Sequence, residues 1–270
     1  MERERMIVLT PPHRLGELRG RPVTPCHLAY RMGEGPHLMG SGLPAALRGG
    51  LMAVADGPIS GGPPETFCRE VLRECELRGF QGVLCDREGP PNPFLKEVLG
   101  ELEERLIPRG LALYVPEEYA FCAPRARVLV SSALCGGSLE LRLGEALERF
   151  GRERLVLALQ RSAEDFLLPA PEGRGRTLSG EELGQMLRER QPAVYFSREL
   201  CARYFTYMDR QGQPHFVLFD DGDTMVRKLE QGRKAGVGRF AAAWPEICGG
   251  ADRMGLQAVR NGPGRRPGTA

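Results

Sequence analysis

The chain has 270 residues, which allows one large domain or two small ones and is enough for an α/β barrel of about 250 residues. Hydrophobic residues make up 41% of it, the share expected of a globular protein with a full core, so a mainly disordered chain is excluded. The 37 basic and 35 acidic residues leave a net charge of +2, and a general nucleic-acid binder would show a larger basic excess. No apolar run approaches the roughly 18–20 residues that span a bilayer, so we expect no membrane span.

Short runs of apolar and β-branched residues predict eight strands. They lie at residues 6–10, 27–31, 51–55, 82–85, 111–115, 127–131, 155–159 and 239–243. Most of these runs are continuously apolar, without alternation, which is typical of strands that are buried on both faces of a parallel sheet.

Amphipathic stretches that follow many of these runs predict helices. They lie at residues 63–79, 92–110, 138–151, 179–190 and 221–236. The first begins at Pro63-Pro64 and ends at Gly79, and the fourth carries a capping box of Ser179 with Glu182. Strand–helix alternation indicates a parallel sheet. Eight strands in a chain of this length favour a closed (β/α)8 TIM barrel, an α/β fold, over an open sheet.

The spacing of the strands departs from a regular barrel in two places. The first three strands fall within residues 6–55, which leaves little room for helices, so we expect the barrel to be irregular in its N-terminal part. Before the last strand, a helix and a β-hairpin around Asp209-Arg210-Gln211-Gly212 predict a small α+β insertion at about 162–221. We therefore expect a single barrel domain over 1–256 and a disordered tail over 257–270.

Cysteine and histidine usage argues against a metal centre. None of the eight cysteines forms a CxxC pair, and the four histidines lack metal-ligand spacing, so we expect no metal. We also expect no cofactor, because no glycine-rich dinucleotide or phosphate loop is present. The N-terminal apolar run is too short for a signal peptide, so the sequence predicts a cytoplasmic protein with reduced thiols.

Two acids directly after the fourth strand are the sharpest candidates for chemistry. Asp86 and Glu88 are two residues apart, so in extended chain they would point the same way with Cα atoms about 6–7 Å apart. At the carboxyl end of a barrel strand both would face the mouth, where barrel active sites lie. Paired carboxylates raise the pKa of one member, as a general acid requires. The alternative is a solvated start of the loop.

A longer motif near the end of the chain resembles a known family. Residues 204–221 read YFTYMDRQGQPHFVLFDD and precede a helix and a final strand ending at Trp244. This is similar to glycoside hydrolase family 18, in its spore-cortex N-acetylglucosaminidase branch. In that register Phe80–Glu88 falls on the family's fourth-strand motif DGxDxDxE, with Asp86 and Glu88 at its last two acids. The resemblance spans roughly 50–248 and is best over 203–244.

The resemblance implies a retaining, substrate-assisted hydrolase of N-acetylglucosamine-containing glycan, such as peptidoglycan, spore cortex or a chitin-like polymer. It implies that Glu88 is the general acid, and that Asp86 orients the acetamido group of the substrate. Trp244 would form the floor of the sugar pocket; the alternative is a core tryptophan that seals one end of the barrel. A spore association would also follow.

Other residues depart from the family pattern. Gln81 and Leu84 stand where the family has two further acids, and the sixth strand, at 127–131, lacks the family's tyrosine. Losing such supporting groups costs orders of magnitude in rate. The sequence therefore leaves a second hypothesis open, a catalytically degenerate barrel that binds glycan or a protein partner.

Five further residues are candidates for substrate binding because they lie at the predicted strand ends. They are Tyr30, Asp56, Tyr114, Glu117 and Gln160. For each, the alternative is a solvated loop residue. An unrelated barrel enzyme with a phosphorylated substrate would need glycine-rich turns after strands seven and eight, which the sequence lacks.

Overall fold

The computed structural model describes residues 5–42, 44, 47–55, 57, 62–87, 91–170 and 175–259. The strands are β1 (Arg5–Thr10), β2 (Thr24–Gly33), β3 (His37–Gly40), β4 (Leu51–Ala55), β5 (Gly82–Asp86), β6 (Ala112–Pro116), β7 (Arg127–Ser131), β8 (Leu155–Leu159), β9 (Ala163–Leu167), β10 (Arg176–Thr177), β11 (Tyr195–Ser197), β12 (Ala202–Met208), β13 (Pro214–Phe219) and β14 (Arg239–Ala243). The α-helices are α1 (Pro64–Arg78), α2 (Pro93–Leu106), α3 (Leu139–Arg154), α4 (Gly180–Arg190), α5 (Gly222–Ala235) and α6 (Trp244–Ile247).

Eight parallel strands close into a barrel, which confirms the predicted fold. Their order is β1, β14, β8, β7, β6, β5, β4, β2, and β2 pairs back onto β1. All eight strands predicted from the sequence take part. β3 is an antiparallel extension of β2 and was not predicted, because its four residues are mostly exposed and lack an apolar pattern.

The N-terminal part of the barrel is irregular, as expected. A 3-10 helix over Pro12–Leu18 joins β1 to β2, and the first α-helix in the described part of the chain is α1, after β4. From α1 onward an α-helix follows β4, β5 and β7, whereas only a 3-10 helix over Glu117–Tyr119 lies between β6 and β7. Asn92 begins α2 by accepting hydrogen bonds from the backbone N–H groups of Phe94 and Leu95, and Gly79 ends α1 in the left-handed conformation.

Small and medium apolar side chains fill the lumen of the barrel. Those on its inner face that are buried are Ile7, Leu9, Cys26, Leu51, Ala53, Leu84, Tyr114, Val156 and Ala241. Each fully buried leucine or isoleucine stabilises the fold by about 1.5–3 kcal/mol relative to exposure. The lumen is therefore a packed core, with a cavity at its carboxyl end.

The segment between β8 and α5 forms a second sheet of order β10, β9, β13, β12, β11, with antiparallel pairing throughout. Helix α4 packs against one face of this sheet, over Phe205, Val217 and Phe219. These elements lie within the insertion expected at about 162–221. The capping box of Ser179 and Glu182 is present at the start of α4.

Two further sequence expectations concern the membrane and the tail. Within the described residues, every helix is too short or too polar to cross a bilayer. Of the tail expected to be disordered, residues 260–270 lie outside the described residues. Val259 donates its backbone N–H to the Gly20 carbonyl at 2.9 Å, so the chain contacts the barrel up to that point.

Candidate active site

A cavity of about 340 Å³ opens at the carboxyl ends of the barrel strands. The ends of β5, β6, β7, β8 and β14 contribute its walls, and helix α3 contributes Arg142. Its polar side chains are Asp86, Arg87, Glu117, Glu118, Ser131, Arg142, Gln160 and Glu246. Carboxylates outnumber guanidinium groups in this lining, which does not suit an anionic phosphate.

Asp86 is the last residue of β5, with Ala55 of β4 opposite it, and it lines the cavity. Burial raises the pKa of the Cys26 thiol, and the charge of Asp86 raises it further. Cys26 packs inside the lumen, and Asp86 lines the cavity at the carboxyl end of that lumen. Leu84, two residues earlier, is 1% exposed and packs within the lumen, so the layer beneath Asp86 is apolar.

Two predicted site residues, Glu88 and Asp56, lie outside the described residues. Asp86 ends its strand at the mouth of the barrel, and Glu88 follows two positions later in the sequence. The catalytic role of Glu88 stays a prediction, as does the binding role of Asp56.

Glu117 lies in the cavity wall at the start of the turn after β6. Its carboxylate forms an ion pair with Arg142 of α3, and Arg149 lies 3.4 Å from its other oxygen. Two guanidinium groups thus neutralise this acid. Its position suits a polar contact to a ligand better than the role of a base.

Gln160 follows β8 and lines the cavity beside Ser131, the last residue of β7. The Ser131 hydroxyl donates a hydrogen bond to the Gln160 side-chain carbonyl at 2.5 Å. Gln160 was predicted from its place at a strand end. Ser131 also ends a strand, so the same rule could have found it.

Three predicted binding residues, Tyr30, Tyr114 and Trp244, are not in the lining of this cavity. A β-bulge between Leu28 and Tyr30 shifts the alternation of β2, so Tyr30 turns outward and its hydroxyl donates to Glu74 of α1 at 2.7 Å. Burial raises the pKa of the Tyr30 hydroxyl well above its ordinary value, and the bond to Glu74 adds to this shift. Tyr114 does point into the lumen. It lies in a lower layer, where it accepts a hydrogen bond from Arg127 at the start of β7.

Trp244 follows Ala243, whose side chain faces the cavity, so the alternation of the strand turns the indole to the outside of the barrel. The ring is 2% exposed, donates its N–H to Glu17 at 2.6 Å and lies under the Arg21 guanidinium. Trp244 therefore lies where the alternative hypothesis places it, as a core tryptophan at one end of the barrel.

Two other polar groups of the cavity, Arg142 and Glu246, carry no local signal in the sequence. Arg142 comes from the first turn of a helix, and Glu246 lies just beyond the last strand, where it accepts a hydrogen bond from the Arg161 backbone N–H at 3.1 Å. Both are brought to the mouth by long-range packing, which strand-end reasoning does not reveal.

Known proteins resemble this chain in structure, and comparisons by sequence found no match. No protein-family model and no curated protein matches the sequence. Among solved structures, the spore cortex-lytic enzyme SleL of Bacillus megaterium QM B1551 is 15% identical, with a TM-score of 0.61 over 90% of this chain and 70% of that one. A chitinase from Chromobacterium violaceum is 13% identical, with a TM-score of 0.61 over 90% and 95%.

A family 18 chitinase from Cycas revoluta, solved in complex with (GlcNAc)3, is 14% identical, with a TM-score of 0.53 over 88% of this chain and 94% of that one. At such identities the likeness establishes the fold. The chain therefore has the barrel fold that these cortex-lytic enzymes and family 18 chitinases share. The resemblance expected from the sequence is confirmed at that level.

Proposed function

We propose that the chain is a retaining, substrate-assisted glycoside hydrolase that acts on glycan containing N-acetylglucosamine. The observation that carries the proposal is the position of Asp86. It ends the fourth strand of the barrel and lines the cavity at the mouth, two residues before Glu88. The likeness to cortex-lytic enzymes and chitinases supports the same class of substrate.

In the proposed reaction the acetamido oxygen of the substrate attacks the anomeric carbon while the glycosidic bond breaks. Glu88 gives its proton to the departing oxygen. Asp86 accepts a hydrogen bond from the acetamido N–H and stabilises the positive oxazolinium ring. Glu88, now a carboxylate, takes a proton from water as the water opens that ring, which regenerates the acid and retains the configuration. The scheme needs neither metal nor cofactor.

Spore-cortex peptidoglycan is the substrate source that we propose, on the likeness to SleL. Its sugars carry the acetamido group that the reaction needs. We extend the proposal to a spore-associated site of action on the same ground.

A second candidate function is glycan binding without turnover, and the apolar layer beneath Asp86 favours it. Leu84 occupies a position where the family resemblance places an acid, and Ser131 ends the strand where it places a tyrosine. The relay of acids that the resemblance places beneath Asp86 is thus replaced in part by an apolar side chain.

The two candidates differ in a release assay with a fluorogenic chitobioside and purified spore-cortex fragments. The parent, Glu88→Gln and Glu97→Gln are compared; Glu97 is an exposed acid on α2 and provides the matched control. Release by the parent and by Glu97→Gln, but not by Glu88→Gln, supports the hydrolase. Binding of the fragments without release by any of the three supports the second function. Equal release by all three contradicts the assignment of Glu88.

A further inference from the structure

The carboxyl ends of β7 and β8 are joined by a chain of hydrogen bonds that leads into the cavity. The Ser132 backbone N–H donates to the Ala158 carbonyl at 2.9 Å, and the Gln160 backbone N–H donates to the Ser132 hydroxyl at 3.1 Å. The Ala133 backbone N–H donates to the Ser131 hydroxyl at 3.0 Å, and that hydroxyl donates to the Gln160 side-chain carbonyl. Backbone and side chain of Gln160 are thus both fixed.

These bonds favour one orientation of the Gln160 amide over its reverse. The Ser131 oxygen accepts from Ala133, a backbone N–H that can only donate, and its own proton goes to Oε1 of Gln160. With the amide reversed, the same oxygen would accept twice, and its proton would lose the Gln160 acceptor. The network therefore holds Oε1 against Ser131 and leaves Nε2 as the free end of the amide.

The free end is a donor without a protein acceptor in the described part of the chain. Gln160 is half-buried and lines the cavity, and none of the described residues accepts a hydrogen bond from Nε2. A fixed, uncharged N–H₂ group in a concave site fits a neutral carbonyl oxygen of a ligand. Because its orientation is already set, little rotamer entropy is lost when the ligand binds.

We infer that Gln160 binds an acetamido carbonyl oxygen of the glycan, and that Ser131 is a positioning residue that holds the Gln160 amide in its donating orientation. The inference rests on the proposed function for its ligand and adds the residue that selects N-acetylated sugars. Removing the donor leaves the acetamido oxygen without that partner in the cavity, which weakens binding about 5- to 100-fold.

The test measures binding in the Glu88→Gln chain, so that the ligand stays intact. Titration calorimetry compares two neutral ligands, the tetramer of N-acetylglucosamine and cellotetraose, which lacks acetamido groups. Gln160→Glu keeps an acceptor for Ser131 but replaces the N–H₂ donor by a carboxylate oxygen, and Gln160→Met removes both polar groups. Gln185→Met, on the exposed face of α4, is the matched control.

We expect both Gln160 variants to bind the N-acetylated tetramer about 5- to 100-fold more weakly, while cellotetraose affinity and the control stay unchanged. Ser131→Ala lowers the same affinity by a smaller factor and Ser131→Thr, which keeps the hydroxyl, restores it. Unchanged affinity of the Gln160 variants for the tetramer overturns the inference and leaves the proposed function standing. A Glu88→Gln chain that binds neither ligand overturns both.

Discussion

The buried ion pair between Asp220 and Lys228 holds the start of α5 against the second sheet, and its removal has a calculable cost. The Lys228 ammonium lies 2.7 Å from the Asp220 carboxylate, and the two side chains are 1% and 0% exposed. Lys228→Met leaves the carboxylate buried without its counter-ion, which typically costs 3–5 kcal/mol, so we expect about that loss. For a domain of this size each kcal/mol lowers Tm by about 2–4 °C, so the expected shift is roughly 6–20 °C.

The hydrogen bonds that remain put the expected loss near the lower end of this range. Asp220 still accepts from the Ser162 backbone and hydroxyl, both at 3.0 Å, and from the Thr224 hydroxyl at 2.8 Å. Urea unfolding of the parent, Lys228→Met and Lys234→Met gives the difference, and Lys234 is an exposed lysine of the same helix. Adding Asp220→Asn to Lys228→Met removes the unpaired charge and recovers part of the loss. A Lys228→Met chain as stable as the Lys234→Met control would refute the reasoning.

Three further predictions concern the role of Asp86, the fluorescence of Trp244 and the contribution of Glu182 to stability at low pH. Asp86→Asn abolishes nearly all release of the fluorescent product. It leaves Tm within about 2 °C of the parent, because the Asp86 side chain lines the cavity and is not part of the packed lumen. Substantial release by this variant would contradict the role of Asp86. Trp244 is the single tryptophan of the chain, and its ring lies outside the cavity. Saturating tetramer of N-acetylglucosamine therefore leaves the tryptophan fluorescence unchanged. A shift of the emission maximum on binding would place Trp244 at the sugar. Backbone and side-chain hydrogen bonds from Ser179 and Arg176 lower the pKa of Glu182 to about 2, so its contribution to stability is present above pH 4.5 and is lost as the pH falls towards 2. Glu182→Gln therefore flattens the pH dependence of Tm over that window, and an unchanged slope would contradict the assignment.

Most of the fold could be predicted because the barrel strands carry their own signal. Runs such as Leu155–Leu159 are apolar on both faces, and the structure places them between the lumen and the surrounding helices. β9 carries no such signal. Its sequence AEDFL contains Asp165, which is buried beside His215 and Tyr207, residues far along the chain that hydrogen bond to it at 2.8 and 2.7 Å. Pairing of this kind is invisible in a local pattern.

The site residues could be predicted where the alternation of side chains continues unbroken to the end of a strand, and less well elsewhere. Asp86, Glu117 and Gln160 reach the cavity because each lies at or just after the carboxyl end of a barrel strand. Tyr30 does not, since a single bulge reverses its side. Trp244 does not reach the cavity either, since it follows the inward-facing Ala243 and so points outward. A one-residue change of register exchanges the two faces of a strand, and sequence patterns locate strand ends less accurately than that.

The measurement that bears most directly on the central claim is the anomeric form of the first product. Proton NMR would follow the parent and Glu88→Gln acting on the tetramer of N-acetylglucosamine, before mutarotation mixes the anomers. A substrate-assisted hydrolase with Glu88 as acid gives the β anomer first in the parent and no product in the variant. The α anomer first, equal turnover by the variant, or no turnover by the parent would contradict the account.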